Sequence, residues 1–567
     1  MEVLTLMITR RVKGDENFKY HWRCKEVDLT HLCFADDLFL FFHGDTNSVS
    51  IIMSAMNEFK TTSGLIPSIP KSTIYFGNVG LEEQEDIENL AQFNVGELPV
   101  RYLGVPLISS RLYHKDCIPL IEKVKNKIQN WKNKSLSFAG RLQLISLVLN
   151  SLQVYWASVF IIPLSVSKEI EKLLRGFLWC HGDMKRGKAK VKWKEVCTPM
   201  LHGGLGLKLL RTWNQALISK HTWNIISRKD SLWVKWIHAY RLKHGNFWEF
   251  ESKVETCWSW RKILEFRSSL RNHIVHMIGN GQTTSAWFDN WHPLGPLSSF
   301  LSHRNMCEGD FSRHSKVVDI VSNGMWKWPQ DWLERFPDLY NSQIIDISPD
   351  AADKILWKTN EGNLIQFTVG DVWADIREVG TPVPWFSIVW FSQNIPRHAF
   401  ILWLAIKGRL KTHDVLSAWM DTADMNCVLC KTVPDSHNHL FFNCPFSKEI
   451  WNHMKVLTKW GNIPSQWSDI ITHMCNNRNN NSIWSIVNRL TLGAAVYYVW
   501  QERNRRIHEE KSRPVAEIAK LIREAVRLRI LGLKLKKTTA SLQVAKAWDL
   551  HNIQWLDDKH PNVNHDS

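Results

Sequence analysis

The stretch Phe34-Ala35-Asp36-Asp37-Leu38 lies between two apolar runs, residues 29–34 and 38–42, and it decides how the start of the chain folds. Two apolar runs with a short polar break predict two buried strands joined by a tight turn. Unpaired carboxylates in such apolar surroundings are costly unless a cation neutralises them. Two magnesium ions about 4 Å apart are a recurrent catalytic pair held by carboxylates. Asp36 and Asp37 are therefore candidate catalytic residues and magnesium ligands, and the alternative is a metal-free acidic turn, because Asp is common in turns.

Further short motifs follow the double Asp along the chain. They are Ser63-Gly64-Leu65, Lys71-Ser72, Ile74-Tyr75-Phe76-Gly77, Tyr102-Leu103-Gly104-Val105-Pro106-Leu107, Leu136-Ser137-Phe138-Ala139-Gly140-Arg141 and Gly203-Gly204-Leu205-Gly206-Leu207. In this order they resemble segments of the reverse transcriptases of LINE-type, non-LTR retroelements, in the form common in plant genomes. The resemblance implies an RNA-directed DNA polymerase that acts on a template–primer of RNA and DNA. It also implies that Lys71 is a catalytic residue, which donates a proton to pyrophosphate.

One departure from this family bears on mechanism. In the family, the first metal-binding Asp and the Gly-containing segment that checks the incoming nucleotide precede the double Asp by more residues than this chain has. Ser68 also stands where the family usually has Asn. We therefore expect a truncated polymerase that does not polymerise by itself, and enzyme activity stays open. The rival hypotheses are a nucleic-acid-binding protein without catalysis and an inert retroelement relic.

The charge balance favours a polyanionic partner. The chain has 71 Lys and Arg residues against 55 Asp and Glu, a formal net charge of +16, and a field of that sign attracts nucleic acid. The basic residues form three clusters along the sequence. These are Lys123, Lys125, Lys127, Lys132 and Lys134; Lys185, Arg186, Lys188, Lys190, Lys192 and Lys194; and Arg503, Arg505 and Arg506.

The first basic cluster has the pattern of an amphipathic helix. Apolar residues recur at helical spacing between Ile121 and Trp131, so the five lysines occupy the opposite side. Similarity to a polymerase thumb implies that these lysines bind the template–primer backbone. A solvated helix face without a ligand is the alternative.

The composition indicates a folded chain of about three to five domains. Hydrophobic residues make up 44% of the sequence, and there are 30 tryptophans. Most tryptophans are expected in the core, since a large ring in a helical apolar stretch chiefly fills volume. This expectation concerns in particular Trp179, Trp193, Trp213, Trp223, Trp233 and Trp236.

An uncharged run at residues 142–167 is long enough to cross a bilayer of about 30 Å. Polar residues punctuate it and Pro163 ends it, so we predict a buried core helix and no membrane partner. No basic-then-apolar leader follows Met1. We expect an intracellular protein, with nucleus and cytoplasm both open.

Cysteine and histidine spacing predicts a zinc site. The odd number of 11 cysteines argues against a disulfide framework. Cys427-Val428-Leu429-Cys430 is followed by His439 and then by Cys444. Two sulfurs on one turn and a second pair from the next element can complete a tetrahedral zinc shell, which has no open position and is therefore structural. His437 could replace His439, and four unrelated residues in a helical domain are the alternative.

Motifs around these ligands resemble the zinc-binding domain found downstream of the reverse transcriptase in these retroelements. They are Phe367-Thr368-Val369, Val372-Trp373, Trp390, Pro396-Arg397-His398, residues 400–404 and Thr412 before the first Cys, and Pro445-Phe446-Ser447 and Trp451 after the last. The resemblance implies binding to RNA or DNA. The eight residues between Cys430 and His439 exceed the usual spacing of a zinc knuckle, so the preference between RNA and DNA is left open. Association with other retroelement proteins is also expected.

The resulting prediction is an α+β protein: a partial polymerase palm formed by a β-hairpin with helices, followed by mainly helical regions. The predicted domains are a palm at 1–80, a thumb-like region at 81–180, a connector at 181–345, the zinc-binding domain at 346–455 and a basic helical region at 456–567. In the last region, Ile518, Leu521, Ala525 and Leu528 have helical spacing and predict an apolar helix face. We can assign no role to the connector motifs Ile278-Gly279-Asn280-Gly281 and residues 286–291.

Overall fold

The computed structural model describes residues 2–132, 135–180, 189–251, 256–322, 324–417, 426–460, 463–476 and 479–556. The chain divides into two compact units, each built from three segments. Unit 1 comprises Met1–Cys117, Val154–Leu164 and Arg211–Arg377, and unit 2 comprises Ile118–Gln153, Ser165–Leu210 and Glu378–Ser567. The five sequential domains proposed from the sequence stay a prediction.

The described part of the chain is mainly helical. Its α-helices are α1 (Glu2–Gly14), α2 (Thr46–Ser63), α3 (Leu81–Ala91), α4 (Ile118–Lys132), α5 (Phe138–Leu144), α6 (Asn150–Val159), α7 (Leu164–Cys180), α8 (Trp193–Val196), α9 (Leu210–Ile226), α10 (Leu232–Trp236), α11 (Trp258–Leu270), α12 (His303–Glu308), α13 (Trp332–Arg335), α14 (Pro337–Tyr340), α15 (Val369–Ile376), α16 (Phe386–Val389), α17 (Pro396–Ile406), α18 (His413–Ser417), α19 (His437–Leu440), α20 (Pro445–Val456), α21 (Trp467–Asn476), α22 (Ile483–His508), α23 (Val515–Leu531) and α24 (Thr539–Ala547).

Short strands accompany these helices, so the mixed α+β class is confirmed. The strands are β1 (His31–Phe34), β2 (Asp37–Leu40), β3 (Thr73–Ile74), β4 (Asn94–Val95), β5 (Arg101–Tyr102), β6 (Val105–Pro106), β7 (Ile274–Met277), β8 (Val321–Ser322), β9 (Met325–Trp326), β10 (Lys354–Lys358) and β11 (Leu364–Ile365). Strands β7, β10 and β11 form a three-stranded antiparallel sheet in the order β11-β10-β7, and the other described strands pair in twos. The assignment to palm and thumb stays a prediction.

Strands β1 and β2 form the predicted hairpin. Phe34 pairs with Asp37, so Ala35 and Asp36 make the turn, with Ala35 in the left-handed region at φ 53°. The expectation of two buried strands is wrong, because β1 is largely exposed and Phe34 has 59% of its surface accessible. One face of β2 packs on the apolar core between α1 and α2, whereas among the described residues no third strand pairs with the outer edge of β1.

The connector motifs belong to a tryptophan-rich core cluster in unit 1. Trp287, Trp291, Trp328 and Trp332 are buried in one cluster, and Trp328 and Trp332 stack at 5.5 Å between ring centroids. Of the six tryptophans predicted from the sequence to be core, Trp233 is the most accessible, at 37%.

The carboxylate of Asp353 fixes the Gly279-Asn280-Gly281 loop. It accepts hydrogen bonds from the backbone amides of Gly279 (2.8 Å) and Gly281 (2.9 Å) and from the hydroxyls of Thr283 (2.9 Å) and Thr284 (2.8 Å). Burial alone would raise the pKa of Asp353, but these hydrogen bonds lower it to about 2. The loop is therefore tied to the start of β10, which gives the glycine-containing motif a structural role.

The long helices of unit 2 pack around α22. Helix α23 packs on it through Ile518, Ile522, Val526 and Ile530, which are fully buried and recur every fourth residue. Of the apolar face predicted from the sequence, Ile518 is buried and Leu521 and Ala525 are half-buried. The prediction is wrong for Leu528, which is 63% exposed.

The uncharged run is divided between two helices. Residues 142–159 continue from α5 through a π-helical turn, Ile145–Leu149, into α6, and residues 164–167 begin α7. The continuous helical stretch Phe138–Val159 is long and apolar enough to cross a membrane by length and composition alone, and 33% of its most apolar window is buried. The predicted burial of this helix in a core is thus confirmed only for part of its residues. Leu147, for example, is 70% exposed.

Candidate metal centre

Cys427 and Cys430 lie on one tight turn in unit 2. The amide of Cys427 donates to the carbonyl of Val433 at 2.7 Å, and the amide of Lys431 donates back to the carbonyl of Cys427 at 2.7 Å. Lys431 has a φ of 61°, which reverses the chain after the second cysteine. Both sulfurs are therefore held at the same end of the turn.

His439 and Cys444 come from the next two short elements. Ser436 caps α19 by accepting a hydrogen bond from the amide of His439, which fixes the start of that helix. The amide of Cys444 donates to the carbonyl of His439 at 2.7 Å, and Cys444 is the N-cap of α20. The His and the third Cys thus converge through local backbone contacts.

The four side chains fit a zinc ion. The ligand atoms of Cys427, Cys430, His439 and Cys444 lie within 4.8 Å of one another, and Cys430 Sγ is 3.2 Å from His439 Nε2. Tetrahedral zinc with bonds of about 2.0–2.3 Å places its ligands about 3.3–3.8 Å apart, so small movements complete the shell. His437 does not belong to this cluster. It packs against the ring of Trp467 at a centroid distance of 5.0 Å.

The thiols influence one another's protonation. A hydrogen bond between Cys427 and Cys444 lowers the pKa of Cys427 to about 6 and raises the pKa of Cys444. Burial alone would raise the pKa of Cys430, but the net direction is downward because the Thr432 hydroxyl donates to its sulfur at 3.2 Å. Thiolates are the form that binds zinc, so the donor set and its surroundings suit a structural ion.

Helix α22 supports the zinc-ligand loop through arginines whose role the sequence did not predict. Arg503 donates to both carboxylate oxygens of Asp435, a residue of the loop between Cys430 and His439, and both side chains are buried. Arg506 donates to the carbonyls of Val428 (3.4 Å) and Leu429 (3.2 Å) within the Cys-x-x-Cys turn. Two of the three arginines in this basic cluster therefore serve structure instead of forming a free cationic surface.

A second buried carboxylate completes this network. Glu502 accepts hydrogen bonds from Arg506 at 2.9 Å and from the side chain of Arg513 at 2.8 Å. Burial alone would raise the pKa of Glu502, but these donors lower it. The acidic residue thus stays charged between two arginines. The sequence shows only that Glu502 stands next to Arg503, and this does not indicate their partners.

The structure places the predicted magnesium ligands in solvent. Asp36 and Asp37 are both exposed, and no third histidine, cysteine or carboxylate joins them in a metal-like cluster within the described ranges. Asp37 lies close enough to Tyr102 to contribute to the raised pKa of that phenol, for which burial is the larger cause. Lys71 is exposed at the end of a short 3₁₀ turn, Ile69–Lys71. The catalytic roles of these three residues stay predictions.

Helix α4 carries part of the predicted lysine face. Ile121, Val124 and Ile128 are buried, whereas Lys123 and Lys127 are exposed. Lys125 pairs with Glu122 at 3.0 Å and with Glu169 at 3.9 Å. Lys132 ends the helix, and Lys134 lies outside the described residues, as do Lys185, Arg186 and Lys188 of the second cluster.

Comparison with known proteins identifies the class of the metal-binding segment. Residues 367–451 match the protein family described as zinc-binding in reverse transcriptase, and all four clustered ligands fall inside this range. The chain therefore carries a segment related to the zinc-binding domains of reverse transcriptases, and the four ligands of this segment lie in unit 2.

Two curated proteins of Arabidopsis thaliana are similar to longer stretches. One, provisionally named a ribonuclease H protein, is 27% identical over 366 residues, which is 61% of this chain and 57% of that protein. The chain thus spans little more than half the length of this relative. The other, an uncharacterized mitochondrial protein, is 29% identical over 153 residues, 26% of this chain and 99% of that protein. Together with the zinc-binding match, these relatives support a protein related to reverse transcriptases.

Proposed function

We propose that this chain is a protein of LINE-type, non-LTR retroelement origin whose zinc-binding domain holds RNA or DNA. The observation that carries the proposal is the Cys427, Cys430, His439 and Cys444 cluster inside the segment that matches the reverse-transcriptase zinc family. A closed shell of three thiolates and one imidazole supplies structure and leaves no coordination position for chemistry. The role of the zinc ion is to order the surrounding loop, which forms part of the binding surface.

The charge of the chain supports a nucleic-acid partner. A formal net charge of +16 gives a long-range attraction to phosphate backbones. A zinc-ordered module also raises the effective concentration of template at any second binding surface of the same chain. The free state of all 11 cysteines fits an intracellular place of action, in the nucleus or the cytoplasm.

The binding proposal is tested by comparing zinc-loaded protein with zinc-stripped protein. Fluorescence anisotropy with labelled single-stranded RNA and DNA should show binding that weakens about tenfold or more after the metal is removed, because the binding loop loses its order. Restoring zinc should restore the affinity. Equal affinity with and without zinc would show that this domain does not contribute to binding.

A second candidate function is RNA-directed DNA synthesis with magnesium. The supporting observation is the β1–β2 hairpin, which presents Asp36 and Asp37 side by side at an exposed turn. Carboxylates held on a hairpin can bind magnesium, whose role would be to activate a primer hydroxyl and to stabilise the departing pyrophosphate. Lys71 would donate the proton to that pyrophosphate.

Primer extension measures this second function directly. If the chain polymerises, Asp36→Asn combined with Asp37→Asn should reduce magnesium-dependent extension on an RNA template by at least about a thousandfold, because the metal ligands are lost. Glu97→Gln, an exposed acid in the same unit, should leave extension unchanged. Extension that survives the double substitution excludes the hairpin as its source.

A further inference from the structure

Unit 2 contains a concave site that the zinc centre does not use. A cavity of about 530 Å³ lies between the start of α5, the first turns of α17 and the last turns of α22. From α22 it is lined by residues that share one face of the helix at spacings of three and four. They are Tyr497, Trp500, Gln501, Asn504, Arg505 and His508.

The cavity combines a basic surface with an aromatic one. Arg397, Arg505 and Arg513 line it, and Glu509 is the single acidic residue among the lining side chains that the structure describes. Phe138 and Tyr497, both half-buried, supply ring surface. Guanidinium groups next to rings form a surface for a ligand that carries both negative charge and flat apolar groups.

Two of these arginines are available to a ligand. Arg397 is exposed, and its guanidinium lies over the ring of Tyr497 at 5.4 Å from the centroid, which orients the side chain. The Nε atom of Arg505 is buried without a hydrogen bond, and its distance to the carboxylate of Glu509 is 3.8 Å. The Arg505 side chain keeps 31% of its surface exposed, and its guanidinium carries further N–H donors beyond Nε that can donate to an anionic oxygen.

Amide side chains add groups that can contact base edges. Gln501 and Asn504 both line the cavity, and their amides offer donors as well as acceptors. The volume lies within the range of about 300–1,000 Å³ typical of sites for small organic groups. It admits an unstacked base with its sugar and phosphate, whereas the bases of a duplex would stay out of reach.

We propose that this cavity is the site at which unpaired nucleic acid binds, with phosphate at Arg505 and a base against the Arg397–Tyr497 pair. The inference rests on the proposed function and assigns it to particular residues. It also links the cavity to the zinc centre through one continuous network. Arg513 of the cavity donates to Glu502, Glu502 accepts from Arg506, and Arg506 donates to the carbonyls of the Cys-x-x-Cys turn.

The test is fluorescence anisotropy of the zinc-loaded full chain with labelled oligouridylate and oligothymidylate of about 12 nucleotides, a length that spans a single-strand site. Arg397→Ala combined with Arg505→Ala should weaken binding about tenfold or more, and the dependence of log Kd on log salt should become shallower by about one to two. The matched control is Lys536→Ala combined with Lys537→Ala, which removes two exposed positive charges of the same unit outside the cavity and should change affinity less than about twofold.

Unchanged zinc content and melting temperature show that the variants fold. Because Arg505 is partly buried, Arg397→Glu alone is the second variant, and it should weaken binding because it places a negative charge at an exposed position of the site. Equal weakening by the cavity pair and the lysine pair would overturn the site, since binding would then follow net charge. Normal affinity of the cavity variants would overturn it while leaving nucleic-acid binding intact. No binding by the unaltered chain would overturn the proposed function itself.

Discussion

Replacing Cys427 and Cys430 together with serine should remove zinc from the protein completely. Two of the four clustered ligands are lost, and a serine hydroxyl does not replace a thiolate in a structural site. Binding free energies of about 10–16 kcal/mol for structural zinc in small domains show how much folding depends on the ion. We expect zinc content to fall from one ion per chain to none, measured by mass spectrometry of the native protein and by elemental analysis.

The same double variant should lose local order around the ligands. Hydrogen exchange should accelerate at amides between Cys427 and Cys444. The turn and the helix caps in this segment are expected to keep their hydrogen bonds only while zinc orders the loop. Cys475→Ser is the matched control, since this half-buried thiol of α21 lies outside the cluster. Retention of a full equivalent of zinc by the double variant would contradict the ligand assignment.

Arg503→Met should destabilise unit 2 by about 3–5 kcal/mol, because it leaves the carboxylate of Asp435 buried without its cation. Asp435 is fully buried and also accepts a hydrogen bond from the amide of His413 at 3.0 Å, so it cannot turn into solvent. The measurement is denaturant unfolding of the zinc-loaded chain, followed by a probe in unit 2. Zinc should also become easier to remove with a chelator.

Arg505→Met provides the comparison for Arg503→Met. It removes the same type of side chain two residues further along α22, where the ion pair with Glu509 is partly exposed. Such pairs contribute about 0–1 kcal/mol, so the expected loss is small. Equal destabilisation by both variants would mean that the buried Arg503–Asp435 pair contributes no more to stability than an exposed ion pair.

Local sequence motifs were sufficient to predict the features that depend on residues close together in the chain. The β1–β2 hairpin follows from two apolar runs around a turn, and the structure confirms that it forms. The zinc ligands lie within 18 positions of one another, counting from Cys427 to Cys444, so a single turn and a short helix bring them together. The segment that matches the reverse-transcriptase zinc family was recognised from its spacing and flanking residues.

Features that depend on distant partners could not be predicted in this way. Arg503 and Asp435 are 68 positions apart, and nothing near either residue indicates the other. Helix α23 has apolar residues on more than one side, so the choice of Ile522 over Leu521 as a buried residue is made by packing on α22. The exposure of Phe34 likewise depends on whether another element covers β1, and the apolar pattern of a strand does not indicate this.

The contact of α22 with the zinc-ligand loop changes where this domain ends. The segment that matches the zinc family stops at residue 451, yet the cation that neutralises Asp435 is at position 503 and the donor to the Cys-x-x-Cys turn is at 506. A fragment cut at the family boundary would contain every zinc ligand and still lack the helix that holds them. A fragment that keeps these contacts must therefore extend at least to Arg506, and a peptide that ends at residue 451 should be less stable than the same segment in the full chain.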